Sequence, residues 1–455
     1  MEMILEFLRD ILSQPALLIG IMSCVGLIAL KRPFHKIMTG TLKPILGYLM
    51  LAAGAGVIVS NLDPLGKMIE HGFHITGVVP NNEAIVAVAQ KVLGVETMSI
   101  LVVGLLMNLL IARFTKFKYV FLTGHHSLFM ACLMSAVLGT AGLSGIELIL
   151  VGGFLMGAWS AISPAIGQSY TSKVTDGDEI ALGHFGSLGY YLSAWVAKYV
   201  GKAEESTEDI EIPEKWGFLR DSTLSTALTM IVFYLIAAIA AGSEFVSTLS
   251  GSMSPYLFAV MSAMNFAVGV AIVYSGVRMI LGDLIPAFQG IATKIIPNAI
   301  PAVDCAVFFT YAPTAVVLGF ISSFIGGIIV MLILGAVGGV LIIPGLVPHF
   351  FCGATAGIYG NATGGRRGAA VGAFLNGLAI TFLPALALPV LGQLGFQNTT
   401  FGDADFAVMG LVLGNAFEWI GMAGIYGVVV IAALVLIIPN FIKTKGKVIN
   451  YVEEE

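Results

Sequence analysis

Residues 276–320 read GVRMILGDLIPAFQGIATKIIPNAIPAVDCAVFFTYAPTAVVLGF, an apolar run broken by Pro286, Pro297, Pro301 and Pro313 and punctuated by Arg278, Asp283, Lys294 and Asp304. Each proline lacks a backbone donor and works against a continuous helix. Each charge at the centre of a bilayer costs about 2.5–3.5 kcal/mol on insertion scales. Non-helical backbone at membrane depth survives only where protein buries it or where it lines a wet cavity. The stretch therefore predicts a broken or re-entrant segment over 297–304 that carries Asp304 into the interior of a helical membrane protein. Discontinuous helices of this kind form the solute sites of transporters; a proline-kinked structural helix is the competing reading.

The rest of the chain fits that setting. Of its 455 residues, 57% are hydrophobic and 11% charged, and the mean hydropathy is +0.94. A soluble domain carries roughly 25% charged residues. The 55 glycines suit helices whose backbones approach closely in lipid. Long unbroken apolar runs argue against a membrane β-barrel, whose strands alternate. A net charge of −5 gives no footprint for nucleic acid. Cys24, Cys132, Cys305 and Cys352 lie in apolar runs without CxxC spacing, which implies neither a zinc site nor a disulfide framework. Met1–Asp10 lacks the basic region and cleavage site of a signal peptide, so none is expected.

A spanning helix needs about 20 mostly apolar residues. Candidate spans lie near Pro15–Leu30, Pro44–Leu62, Thr97–Phe114, Tyr119–Leu138, Ile146–Ile166, Thr223–Gly242 and Tyr256–Gly282. They continue near Pro313–Leu334, Val337–Phe350, Gly368–Leu391 and Phe406–Pro439, the last long enough for a re-entrant segment and a span. Lysine and arginine favour cytoplasmic loops. Lys31, Arg32, Lys36 and Lys43 follow the first span, Arg113, Lys116 and Lys118 the third, and Lys443, Lys445 and Lys447 lie in the tail. An outward N-terminus and a cytoplasmic C-terminus follow, and opposite-sided termini favour eleven spans over ten. Residues 1–200 and 223–455 then form two membrane halves of one transport domain. The acidic stretch 201–222 reads as a solvated cytoplasmic linker between them or as a docking site for a soluble partner.

Two further breaks carry polar chemistry. Thr123-Gly124-His125-His126-Ser127 opens the fourth candidate span. Adjacent helical residues point about 100° apart, and no acidic or cysteine ligand lies nearby in sequence. A solute or proton site is therefore favoured over a metal site, with structural hydrogen bonding as the bland alternative. Val174-Thr175-Asp176-Gly177-Asp178-Glu179 precedes Gly183-His184-Phe185. Without a twelve-residue ligand pattern it reads as a turn and helix cap rather than a calcium loop, and 181–200 reads as a re-entrant or interfacial helix. A short internal echo, IIPNAIPAVDC at 295–305 and IIPGLVPHFFC at 342–352, suggests two similar hairpins. The glycine-rich run after it lacks the GKS or GKT of a phosphate loop. HExxH and GxSxG are absent, which disfavours an intramembrane hydrolase.

TGHH at 123–126, VTDGDEIALGH at 174–184, the GVRM to AVDCA stretch at 276–306 and IIPGLVPHFF at 342–351 together resemble the ascorbate-type permease component (enzyme IIC) of the bacterial phosphoenolpyruvate phosphotransferase system. The resemblance covers nearly the whole chain in order. It implies an all-α, eleven-span homodimer of two inverted halves in the bacterial cell membrane, with a solute-holding core and a V-shaped scaffold. It implies solute contacts at His125, His126, Ser127, Phe129, His184, Phe185 and Asp304, with Asn82 and Glu83 contributing from a loop. Phe129 and Phe185 stand where the family pattern carries glutamines, so the particular sugar acid or sugar is left open. The resemblance also implies group translocation: a separate phosphorylated IIB component, fed by IIA, phosphorylates the solute at the cytoplasmic face. No cofactor, metal, catalytic residue or phosphorylated residue is expected in this chain. A proton- or ion-coupled secondary transporter is the alternative.

The lysine and arginine bias makes a direct prediction. A cysteine engineered at residue 2 is expected to react with an impermeant maleimide in intact cells, and one at residue 450 only after permeabilisation. Labelling of both from outside overturns the eleven-span topology.

Overall fold

The computed structural model describes residues 14–74, 77–78, 80, 82–210, 222–392 and 400–441. It is almost wholly helical. The first half contains α1 (Pro15–Ala29), α2 (Phe34–Gly72), α3 (Asn82–Phe114), strand β1 (Tyr119–Phe121), α4 (Gly124–Thr140), α5 (Gly145–Thr175), strand β2 (Ala181–Leu182) and α6 (Ser187–Val200). The second contains α7 (Ser222–Ala241), α8 (Ser243–Ser250), α9 (Pro255–Lys294), strand β3 (Ile300–Val303), a 3-10 turn (Cys305–Thr310), α10 (Pro313–Ala336), α11 (Leu346–Gly392), α12 (Ala404–Ile420) and α13 (Met422–Ile437). Among the described residues, seven helices are long and apolar enough to cross a bilayer, and the pair Thr226–Ala241 and Ser243–Ser250, bent by 117°, adds an eighth. Ile19–Ala29 is a shorter apolar helix.

Several candidate spans take a more broken form than their hydropathy suggests. Tyr119–Leu138 is not one helix: its first residues form β1, and helix begins only at Gly124. The run from Val337 enters α11, which breaks at Gly364–Gly365. Gly365 has φ +59°, and a Cβ there would collide with the carbonyls of Lys202 and Glu205. Only glycine fits that position. The final run divides at Gly421, φ +62°, into α12 and α13.

The break at 297–304 is present, and it is a strand. β3 lies at the centre of a three-stranded parallel sheet, with β1 on one side and β2 on the other. Tyr119, Val120 and Phe121 pair with Ile300, Pro301 and Ala302, while Ala181 and Leu182 pair with Ala302 and Val303. The Ile300 N–H donates to Lys118 O and the Leu122 N–H to Ala302 O, so alternate residues of β3 serve β1. Pro301 faces the other way, and β2 begins only opposite Ala302, so its missing donor leaves no gap in the ladder. The second copy of the IIPxxxPxxxC echo behaves similarly: Ile342 bridges to Val78 in parallel before α11 starts. Both copies are thus extended stretches paired with distant chain rather than hairpins.

Helices pack through small residues. α2 and α9 cross with Gly47 against Gly276 and Gly54 against Gly269, where a Cβ on Gly54 would lie 2.7 Å from the Gly269 carbonyl oxygen. α10 and α6 both lie along α11. The start of the acidic stretch is bonded down: the Glu208 carboxylate accepts from Thr314 N (3.0 Å), Ala315 N (3.2 Å) and Thr314 Oγ1 (2.9 Å), capping α10. Asn361 Oδ1 accepts from Thr207 N at 2.8 Å, and Glu205 O from Arg366 N at 2.8 Å, beside the α11 break. Residues 211–221 lie outside the described residues.

Two glycines two positions apart on α2, Gly54 and Gly56, make the packing testable. Gly54→Ala is expected to destabilise, by about 1–3 kcal/mol as overpacking does, because backbone on α9 cannot yield locally. Gly56→Ala meets nothing within 4 Å and is expected to hold or raise stability, since alanine is the better helix former by roughly 1 kcal/mol. Thermal unfolding of the two variants in detergent checks the opposite signs.

Candidate functional site

All three strands point their C-terminal ends at one place. β1 runs into Thr123-Gly124-His125-His126, β2 into Gly183-His184-Phe185, and β3 into Asp304-Cys305. Parallel strands necessarily end on the same edge, and ligands of parallel sheets gather at that edge. Here it borders a cavity of about 1760 Å³, lined at its polar end by Tyr48, Asn82, His125, His126, Phe129, His184, Asp304, Cys305, Cys352 and Asp403. Asp63 and Lys67, ion-paired at 2.8 Å and largely exposed, line it away from that polar end.

Asp304 begins the 3-10 turn as its N-cap: Oδ1 accepts from Ala306 N at 3.0 Å. Its Oδ2 lies 3.4 Å from His125 Nε2. Tyr48 meets the other nitrogen of that ring, its hydroxyl 3.1 Å from Nδ1. With the Nε2 proton on the side of that carboxylate, Nδ1 of the neutral ring is left to accept from Tyr48.

The two buried imidazoles are held differently. His126 Nδ1 accepts from Phe185 N at 3.4 Å, and His184 Nδ1 accepts from Gly186 N at 3.1 Å. Tyr190 adds its hydroxyl to His184 Nδ1 at 2.9 Å. A backbone N–H can only donate, so both Nδ1 atoms are unprotonated and both neutral rings carry their proton on Nε2. Among the described residues neither Nε2 has a protein partner, and both rings line the cavity. The site therefore offers two free N–H donors. The same geometry speaks against a metal. The ligand atoms of His126, His184 and Asp403 lie within 4.8 Å of one another, as do those of His184, Asp304 and Cys305. A neutral imidazole bound through Nε2 would carry its proton on Nδ1, where a backbone N–H already points.

The remaining expected residues divide. Phe129 lines the cavity edge-on to His125, with centroids 5.8 Å apart. Ser127 and Phe185 are fully buried and do not line it. Ser127 donates to Thr123 O at 3.4 Å, and the Phe185 ring stacks on Phe121 at 4.6 Å. Phe185 instead contributes backbone, its N–H to His126 and its carbonyl to Asp405 N at 2.9 Å. Asn82 is in the cavity wall, while the Glu83 side chain lies outside the described residues.

The sequence reading missed Phe401-Gly402-Asp403-Ala404-Asp405-Phe406. Gly402 N donates to Asn82 Oδ1 at 2.9 Å, and Asn82 Nδ2 donates to Asp403 Oδ2 at 2.7 Å. The Cys352 thiol lies 2.9 Å from Asp403 Oδ1. Asp405, fully buried, accepts from Trp159 Nε1 (3.1 Å), Ser187 Oγ (2.7 Å) and Leu188 N (2.9 Å), tying α5 and the start of α6 to α12. Phe406 stacks on His126 at 5.7 Å. Two aspartates in an otherwise apolar run were the available signal, the same rule that singled out Asp304.

Membrane-crossing helices broken around an interior cavity of imidazoles and carboxylates define a permease for polar solutes. The sequence model of the PTS system sugar-specific permease component family matches residues 10–405. The chain belongs to that family. It is also similar to the ascorbate-specific PTS system EIIC component of Mycoplasma pneumoniae, 26% identical over a 474-residue alignment that covers 90% of this chain and 70% of that protein.

Asp405→Ala is expected to lower stability by several kcal/mol, since three buried or half-buried donors lose their acceptor at about 1–3 kcal/mol each. Thermal unfolding checks it. In a chain keeping only Trp159, the same change is expected to shift indole emission, because Nε1 loses its carboxylate partner.

Proposed function

We propose that this permease takes up L-ascorbate, or a closely related sugar acid, for phosphorylation by a separate IIB component. The carrying observation is the pairing of free imidazole N–H donors with buried carboxylate acceptors around one cavity. Ascorbate presents both complements: ring oxygens that accept and alcohol groups that donate. The name of the Mycoplasma relative supports the same solute. His125, His126, Phe129, His184, Asp304 and Asn82 contact it in this reading. Ser127 and Phe185 act behind them.

Group translocation supplies the rest of the proposal. The solute enters from outside and receives its phosphoryl group at the cytoplasmic face from the phosphocysteine of IIB, which IIA recharges. The N-terminus lies outside and the C-terminus in the cytoplasm of a bacterial cell. Residues 1–200 and 223–455 form the two halves around the linker 201–222, and two chains associate in the lipid as a homodimer.

Uptake of radiolabelled ascorbate should require the general phosphotransferase proteins and persist with a protonophore; the reverse pattern overturns group translocation. Asp304 refines the test. An ionised carboxylate repels the anionic ring, so it faces alcohol groups as an acceptor. Asp304→Asn keeps the cap on Ala306 but replaces an acceptor with a donor opposite His125. Both Asp304→Asn and Asp304→Ala are expected to weaken ascorbate binding at least tenfold. Wild-type affinity in a folded Asn variant overturns this role.

A further inference from the structure

Asp403 is a second carboxylate at the polar end of the cavity, and its hydrogen bonds leave capacity unused. It is 5% exposed. Among the described residues two donors reach it, the Asn82 amide at 2.7 Å and the Cys352 thiol at 2.9 Å. A carboxylate accepts about four hydrogen bonds, and a thiol is a weak donor. His184 Nδ1 stands 3.8 Å from Oδ1, but that nitrogen is an acceptor already occupied by the Gly186 N–H and the Tyr190 hydroxyl. It brings no proton. A buried charge supplied with so few donors is costly unless something else completes its shell. Lys and Arg are absent from the described lining of the polar end.

We infer that Asp403 is a solute-binding residue that accepts a hydrogen bond from an alcohol group of the transported molecule. The inference rests on the ascorbate reading and assigns an orientation within it. The free Nε2–H donors of His126 and His184 take ring oxygens. The carboxylate repels those oxygens and faces the hydroxylated side chain. Asn82 also positions Asp403: its carbonyl is pinned by the Gly402 N–H, which aims one amide N–H at the carboxylate and leaves the second for the solute. His184 has a ligand atom within 4.8 Å of one on each of Asp304 and Asp403, so the solute would lie against imidazole between two acceptors.

The test compares two probes on the full-length chain in detergent: L-ascorbate, and 3,4-dihydroxy-2(5H)-furanone, which keeps the ring and lacks the side chain. Asp403→Asn nearly preserves shape and retains one acceptor. The variant is expected to bind ascorbate at least tenfold more weakly than the wild type. Both proteins are expected to bind the furanone with the same affinity, which also shows the variant to be folded. A parallel loss for both probes assigns Asp403 a purely structural role and overturns the inference, as does unchanged ascorbate affinity. Failure of the wild type to bind ascorbate overturns the substrate reading and this assignment with it.

Discussion

Three short strands pairing in parallel hold the interior of this protein together. Backbone that leaves the helix inside a membrane protein must find hydrogen-bond partners, because hydrocarbon provides none. β3 finds them on both sides, in β1 and β2. The parallel sense has a consequence beyond satisfying the backbone. It places three strand ends, separated by long stretches of sequence, on one edge. Each strand leads within four residues to a polar side chain that a lipid-facing segment would not tolerate: His125, His184 or Asp304. Satisfying the backbone and assembling the site are the same event.

The loop after β2 then sets the chemistry. Consecutive N–H groups of Phe185 and Gly186 each end on an imidazole, His126 and His184. The turn thereby decides which nitrogen of each ring carries the proton, and so what the cavity displays. Asp405 holds that turn from behind through Phe185, Ser187 and Leu188. The donors facing the cavity are thus positioned by groups that do not line it. Preorganisation of this sort lowers the ordering cost of binding.

Around this core the helices associate without help from a hydrophobic effect, since lipid tails are as apolar as leucine. Close contact has to supply the attraction. The facing glycines of α2 and α9 let carbonyl oxygens lie where side chains would otherwise stand. Glu208 and the backbone around Glu205 fasten the start of the acidic stretch to the α10 N-terminus and the α11 break. A carboxylate suits a helix N-terminus, where unpaired N–H groups and the helix dipole favour negative charge.

Composition and hydropathy were enough to establish a polytopic helical membrane protein, because the cost of burying charge in lipid acts on each residue separately. The same cost marked 123–127, 174–185 and 276–320 as breaks, and the prolines located the departure from helix near Asp304. What those breaks become was decided by tertiary structure. A strand in this sheet depends on partners about 120 and 180 residues away, which no local pattern records. Ser127 and Phe185 carry the right sequence neighbours yet turn away from the cavity, since orientation depends on what packs behind them. Asp403 and Asp405 stood in plain view as charges in an apolar run. Their division into cavity wall and buried brace came only with the positions of Asn82, Trp159 and Ser187, because a carboxylate's role is set by the donors that surround it.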